Sequence, residues 1–109
     1  MIIYMPLPKL VRDNIPEIIY QNEGKEPVTR ILEEDEYIWH LLAKLQEEVK
    51  EVVESESGEH RLEELADVME LIKAIAALDG VTLEQIEEIR KAKSLKNGGF
   101  DKRILLKEI

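Results

Sequence analysis

Two pairs of acidic residues, each spaced by one helical turn, lie in neighbouring segments of this chain. The pairs are Glu48-x-x-Glu51 and Glu64-x-x-Asp67, and in a helix this spacing places both carboxylates on one face. Four carboxylates brought together repel one another, and removing them from water is costly unless a cation neutralises them. Oxygen ligands of this kind suit Mg²⁺, which in turn suits a phosphate-bearing substrate. The pairs therefore predict a metal site if their helices face each other, and a solvated surface if they do not.

Hydrophobic periodicity assigns the first pair to a long amphipathic helix. Apolar residues recur there at helical spacing and form one stripe, made of Ile38, Leu41, Leu42, Leu45, Val49, Val52 and Val53. Glu48 falls at the edge of the stripe, and Glu51 lies further round the same flank. Glu47 and Glu54 point away from it and are expected to be solvated. The first pair is thus predicted to border the core.

The second pair lies in a segment that is apolar around most of its circumference. A helix of this kind is expected to be buried, and Asp67 falls on the same face as Leu71, Ala74 and Leu78. A buried aspartate should be paired, hydrogen-bonded or metal-bound. Residues 55–58 read as a turn, and a short turn makes the two helices antiparallel neighbours. The two acidic pairs would then face each other.

Turn and capping signals complete the fold prediction. Gly24 and Gly80 are helix stops, Thr82-x-x-Gln85 is a capping box that opens a further helix, and the glycines after Asn97 close it. We predict a single all-α domain over residues 1–109, a bundle of about four helices. Residues 28–32 and 103–107 are candidate strands that would add a small two-stranded β element if they pair.

Charge and composition narrow the class of protein. The net charge of -9 argues against sequence-independent nucleic-acid binding, and no apolar run approaches a membrane span. The absence of cysteine excludes disulfides and thiolate metal sites. Residues 33–70 carry 14 acidic against 3 basic residues, whereas residues 90–109 carry 7 basic against 2 acidic. An acidic middle and a basic end could bracket a metal-bound polyphosphate, or could simply be solvated helices. We expect a soluble, cytoplasmic protein without nucleic-acid or membrane partners.

The acidic residues form the motif Glu47-Glu48-x-x-Glu51, followed by Glu64-x-x-Asp67 in the context Glu63-Glu64-Leu65-Ala66-Asp67-Val68. This motif resembles the signature of the MazG-type all-α nucleoside triphosphate pyrophosphohydrolases. The segments at residues 9–16 and 93–100 resemble a small single-domain branch of that superfamily, whose members are similar to phosphoribosyl-ATP pyrophosphohydrolase. The resemblance covers nearly the whole chain.

The resemblance implies a Mg²⁺-dependent enzyme, with Mn²⁺ as a substitute, that cleaves a modified or deoxy nucleoside triphosphate to the monophosphate and pyrophosphate in a house-cleaning role. The residues that match its metal ligands are Glu48, Glu51, Glu64 and Asp67. The family carboxylate that orients or deprotonates water matches Glu51 or Glu47. Substrate phosphates would be met by Lys93, Lys96, Asn97 and Arg12. Family enzymes are commonly homodimers or homotetramers.

Two alternatives remain open from the sequence. One is a phosphoribosyl-ATP pyrophosphohydrolase of histidine biosynthesis, which shares the acidic layout. The other is a non-catalytic helical interaction module whose acidic faces only confer solubility. A ferritin-like di-iron site is excluded because it needs Glu-x-x-His pairs, and the residues three before His40 and His60 are Tyr37 and Ser57. We expect both histidines to be surface residues.

Overall fold

The fold is all-α. A computed structural model describes residues 7–109 and contains four helices, α1 (Ile15–Glu23), α2 (Glu34–Glu54), α3 (Gly58–Leu78) and α4 (Leu83–Asn97). The predicted class and the approximate helix positions are confirmed, and α3 begins at Gly58, the last residue of the turn predicted for residues 55–58. No helix in the described part of the chain has both the length and the apolar character needed to cross a membrane.

Local sequence signals set the helix ends. Gly24 ends α1 with a left-handed φ of 68°, a conformation that glycine adopts without strain. Thr82 and Gln85 form the predicted capping box, because each side chain accepts a hydrogen bond from the other's backbone N–H, at 3.1 and 2.8 Å. The backbone N–H of Gly98 bonds the Ser94 carbonyl after α4. These helix boundaries therefore follow from local sequence signals and need no tertiary contact.

Helices α2 and α3 form an antiparallel hairpin, which is the main packing unit of the molecule. They are 21 residues long each and are joined by three residues. Ser57 caps α3, with its hydroxyl oxygen accepting a hydrogen bond from the backbone N–H of His60 at 3.1 Å. The register places Glu51 beside His60 and Glu48 beside Glu64, as expected for two antiparallel helices.

The predicted β element is absent from the described residues. Residues 28–32 and 103–107 are both irregular, so this part of the prediction is wrong. Val28, Ile31, Ile104 and Leu105 are exposed, and a lone two-stranded ribbon that buries no apolar face is marginal in water. The first segment is instead tied to α2 by Arg30, whose guanidinium meets both carboxylate oxygens of Glu36 at 3.0 and 2.6 Å.

The core of the single chain is small. The buried apolar side chains among residues 7–109 are Leu41, Leu71 and Ala76. The radius of gyration is 17.7 Å, compared with about 13 Å for a compact domain of this length. Helix α3 was expected to be buried all round, but Leu62 and Met69 on it are exposed. That prediction is wrong for the isolated chain, because α3 packs mainly against α2 and more lightly against α4.

Candidate metal centre

Two carboxyl groups lie in the interior of the α2–α3 hairpin. Glu48 of α2 is 8% exposed and Glu64 of α3 is 5% exposed. Acidic side chains are rarely buried so completely unless they are paired or bind a cation. Glu48 was predicted to border the core, and its burial confirms this; Glu64 is the more deeply buried of the two.

Asp67 completes a first group of three carboxylates with Glu48 and Glu64. One oxygen of each lies within 4.8 Å of one oxygen of the others. The group draws one ligand from α2 and two from successive turns of α3, as the i, i+3 spacing of Glu64 and Asp67 dictates. The sequence-predicted convergence of the two acidic pairs is therefore present for these three residues.

Two oxygens of this group have no protein partner. Within the described part of the chain, Glu48 Oε2 and Glu64 Oε2 are buried and accept no hydrogen bond. A buried acceptor without a donor costs roughly 1–3 kcal/mol, and more when it is charged. A bound divalent cation would remove that cost, so the donor set fits a hard metal ion such as Mg²⁺.

The same crowding perturbs the ionisation of Glu48. Burial raises the pKa of Glu48 to about 7; a hydrogen bond with Glu64 and the negative charges of Asp67 and Glu64 act in the same direction. Lys44 opposes the rise only weakly. Without a cation the site therefore holds a proton near neutral pH, which is the behaviour of carboxyl groups that share one pocket.

Arg12 supplies the positive charge that Asp67 meets in this structure. Its Nη2 lies 2.6 Å from Asp67 Oδ1, and Asp67 keeps 39% of its side chain exposed. Asp67 is thus half-buried and paired, where the sequence predicted burial with a partner. Arg12 was predicted to contact substrate, and the structure places it at the rim of the acidic group.

Glu51 belongs to a second group of possible ligands, with His60 and Glu64. One ligand atom of each lies within 4.8 Å of the others. His60 was expected at the surface, but only 28% of its side chain is exposed, and its Nε2 lies 3.2 Å from Glu64 Oε1. The prediction for His60 is therefore wrong. The available signal was its i, i+4 spacing to Glu64, which puts both on one face of α3.

The remaining predicted site residues are solvent-exposed. Glu47 lies outside both groups and lines a shallow hollow with Lys9, Trp39 and His40. Lys93, Lys96 and Asn97 lie in the last turns of α4 and are exposed. Among residues 7–109, no hydrogen bond or ion pair connects these three to the acidic groups. Their assignment to substrate binding stays a prediction.

Comparisons with known proteins assign no family. The chain is 47% identical over 55 residues to an uncharacterised protein from Mycolicibacterium smegmatis. The match spans 50% of this chain and 55% of the relative, so the chain covers about half the length of the protein that it resembles. No protein-family model matches the chain, and no solved structure matches it.

Proposed function

We propose that this protein is a Mg²⁺-dependent nucleotide pyrophosphohydrolase of the MazG type. The observation that carries the proposal is the group formed by Glu48, Glu64 and Asp67, in which two helices hold three carboxylates within 4.8 Å and leave two buried oxygens unpartnered. The resemblance of the acidic motif to that superfamily gives the reaction: hydrolysis of a nucleoside triphosphate, modified or deoxy, to the monophosphate and pyrophosphate.

Each residue of the proposed site would have a defined task. Glu48, Glu64 and Asp67 would hold the cation, and Glu51 lies close enough to Glu64 to join them or to orient water. When bound, Mg²⁺ would neutralise phosphate oxygens and polarise the attacking water. Glu47 is the other candidate base, although its exposure gives it no fixed partner. Arg12 would release Asp67 and bind a substrate phosphate instead, because a phosphate is a bidentate acceptor that suits a guanidinium.

The burial of Glu48 and Glu64 also favours the proposed metal site over the interaction-module alternative. Carboxylates that only confer solubility remain in water, as Glu47 and Glu54 do. Glu48 and Glu64 are instead buried at a cost that a solubility role does not repay. A phosphoribosyl-ATP substrate is equally compatible with the acidic group, because the ribosyl handle would bind outside it.

The test is pyrophosphate release from a panel of standard, deoxy and damaged nucleoside triphosphates, including phosphoribosyl-ATP, in Mg²⁺ and in EDTA. We expect metal-dependent release that Glu64→Gln abolishes. The matched control is Glu63→Gln, which changes an exposed neighbour on the same helix and should leave release intact. No release from any substrate by the folded, Mg²⁺-binding protein would overturn the proposed activity.

We further propose that the active form is a homodimer or homotetramer. The support is the large apolar surface of the single chain: its small core leaves exposed Leu62, Leu65 and Met69 of α3 and Val53 of α2. Leu62, Leu65 and Met69 recur at helical spacing and so share one face of α3, and soluble monomers rarely expose large contiguous apolar patches. Light scattering coupled to size exclusion should give a mass of two or four chains, and a monomer at micromolar concentration would contradict the proposal.

A further inference from the structure

His60 introduces a nitrogen donor beside a site that otherwise offers only oxygen. Its Nε2 atom is shielded from solvent, lies 3.2 Å from Glu64 Oε1, and makes no hydrogen bond with any residue the structure describes. The contact is close enough for an ion pair but lacks hydrogen-bond geometry. A buried ring nitrogen without a hydrogen-bond partner is costly, and this one is accompanied by the unpartnered Oε2 of the almost fully buried Glu64.

We propose that Glu51, His60 and Glu64 form a second cation position, adjacent to the Glu48–Glu64–Asp67 group, that takes a divalent transition-metal ion such as Zn²⁺. Glu64 is common to both groups, so its two carboxylate oxygens can serve two ions. Carboxylate bridges of this kind are typical of two-metal sites.

The donor set decides which ion the second position takes. Mg²⁺ prefers oxygen ligands and gives up water reluctantly, whereas imidazole nitrogen suits Zn²⁺ and related ions. Three protein ligands would also leave a fourth position open for water or substrate, as in zinc sites with three protein ligands, although those sites more often hold two or three histidines. The first group, which has only carboxylates, would keep its preference for Mg²⁺.

Charge favours a second cation as well. Glu48, Glu51, Glu64 and Asp67 together carry four negative charges when ionised, and one divalent ion neutralises half of them. Arg12 meets only Asp67, at the rim. The Glu51 side of the site has His60 as its one positively chargeable neighbour in the described ion pairs. A divalent ion at this side would balance Glu51 and Glu64.

The simpler interpretation is an i, i+4 histidine–glutamate contact within one helix. Exposed pairs of this kind contribute only a few tenths of a kcal/mol to helix stability. This interpretation accounts for the 3.2 Å separation. It does not account for the burial of Glu64, for the free Oε2, or for the convergence of Glu51 from the opposite helix. The two interpretations differ in what Zn²⁺ does to the imidazole.

The experiment is a Zn²⁺ titration of the full, metal-stripped, ¹⁵N-labelled protein, followed by the imidazole nitrogen resonances. The chain has two histidines, and His40 belongs to neither ligand group, so it is an internal control. We expect the Nε2 resonance of His60 to shift at the first equivalents of Zn²⁺ while the His40 resonances stay in place. An unmoved His60, or equal shifts at both histidines, would overturn the proposal.

Calorimetry on His60→Gln and His40→Gln gives an independent measure. His60→Gln should lower Zn²⁺ affinity by at least about 10-fold and leave Mg²⁺ affinity unchanged, and His40→Gln should change neither. Equal Zn²⁺ affinity in the two variants would overturn the proposal. The inference shares Glu64 with the proposed Mg²⁺ site, but its failure is distinguishable. Intact Mg²⁺ binding and pyrophosphate release with no response at His60 would refute the second position alone.

Discussion

The carboxyl groups of Glu48 and Glu64 meet across the α2–α3 hairpin, and each retains one buried oxygen with no partner among the described residues. Glu48 thus contributes a carboxylate from α2, and Glu64 contributes one from α3, at the point where the two acidic pairs come together. The contact also stores unfavourable energy, because burial and like charge both disfavour the ionised pair. Metal binding, pH and mutation should therefore all act on stability through these two residues.

Glu48→Gln should stabilise the metal-free protein and abolish its response to Mg²⁺. Removing the charge relieves the burial cost and the repulsion, by on the order of 1–3 kcal/mol at pH 8. The loss of a ligand removes the stabilisation that comes from metal binding to the folded state. Thermal unfolding in EDTA and in Mg²⁺ measures both effects. A variant less stable than wild type in EDTA would show that the carboxylate is not strained.

The pH dependence of stability should change sign with metal. The folded-state pKa of Glu48, about 7, lies above its ordinary value of 4.5. The folded protein thus keeps a proton that the unfolded chain releases, and this contribution to the free energy of unfolding is complete below about pH 4.5 and lost as the pH rises through about 7. In EDTA, the stability advantage of Glu48→Gln over wild type should grow between about pH 5 and pH 8.

In Mg²⁺ the wild type should instead gain stability over the upper part of the same range. The ligands bind metal only when deprotonated, so raising the pH strengthens binding. Denaturant midpoints across the pH series, with and without Mg²⁺, give the comparison. Parallel curves in the two conditions would mean that Glu48 does not contact the ion.

Arg12→Gln should tighten metal binding while weakening substrate binding. The guanidinium occupies Asp67 at 2.6 Å and competes there with a cation. Its loss should cost less than about 1 kcal/mol of stability, because both groups are substantially exposed. We expect a lower Kd for Mg²⁺ by calorimetry and a higher KM in the pyrophosphate assay. Arg90→Gln, which breaks a comparable ion pair with Glu87 on α4, should change neither quantity.

Two helix caps provide a matched pair of variants around His60. Ser57→Ala and Thr82→Ala each remove a side-chain oxygen that accepts a backbone hydrogen bond at 3.1 Å, so each should cost about 1 kcal/mol. Only Ser57 caps the turn that carries His60. Ser57→Ala should therefore also weaken Zn²⁺ binding, whereas Thr82→Ala should not. Equal Zn²⁺ affinity in both variants would show that the Ser57 cap does not affect metal binding at His60.

Met69→Glu should shift the proposed oligomer toward monomer. Met69 is an exposed apolar residue on α3, and a charge there would be buried without a partner in an interface. Lys73→Gln, one turn further along the same helix and also exposed, changes the charge by the same one unit and is the control for a change of charge alone. Sedimentation velocity on both variants distinguishes them, and an unchanged mass for Met69→Glu would place the contact elsewhere.

The sequence by itself determined the helices and the face on which Glu48 lies. Helical periodicity, the Thr82–Gln85 capping box and the glycine stops are local features, and local hydrogen bonds and side-chain spacing suffice to set them. The same reasoning gave the exposure of Glu47 and Glu54, because direction around a helix follows from the period of 3.6 residues.

Only the tertiary structure decided which of these groups meet. The short turn predicts that the two acidic pairs face each other, but the register that brings Glu51 to His60 and Glu48 to Glu64 depends on packing between the helices. The candidate strand at residues 28–32 failed for the same reason, since a β-branched segment needs a partner and a surface to cover. Arg12 lies 55 positions from Asp67 in the chain, yet the two are in contact. Periodicity orients a side chain about its own helix, whereas the burial of Glu64 and the surroundings of His60 depend on what the other helix places opposite them.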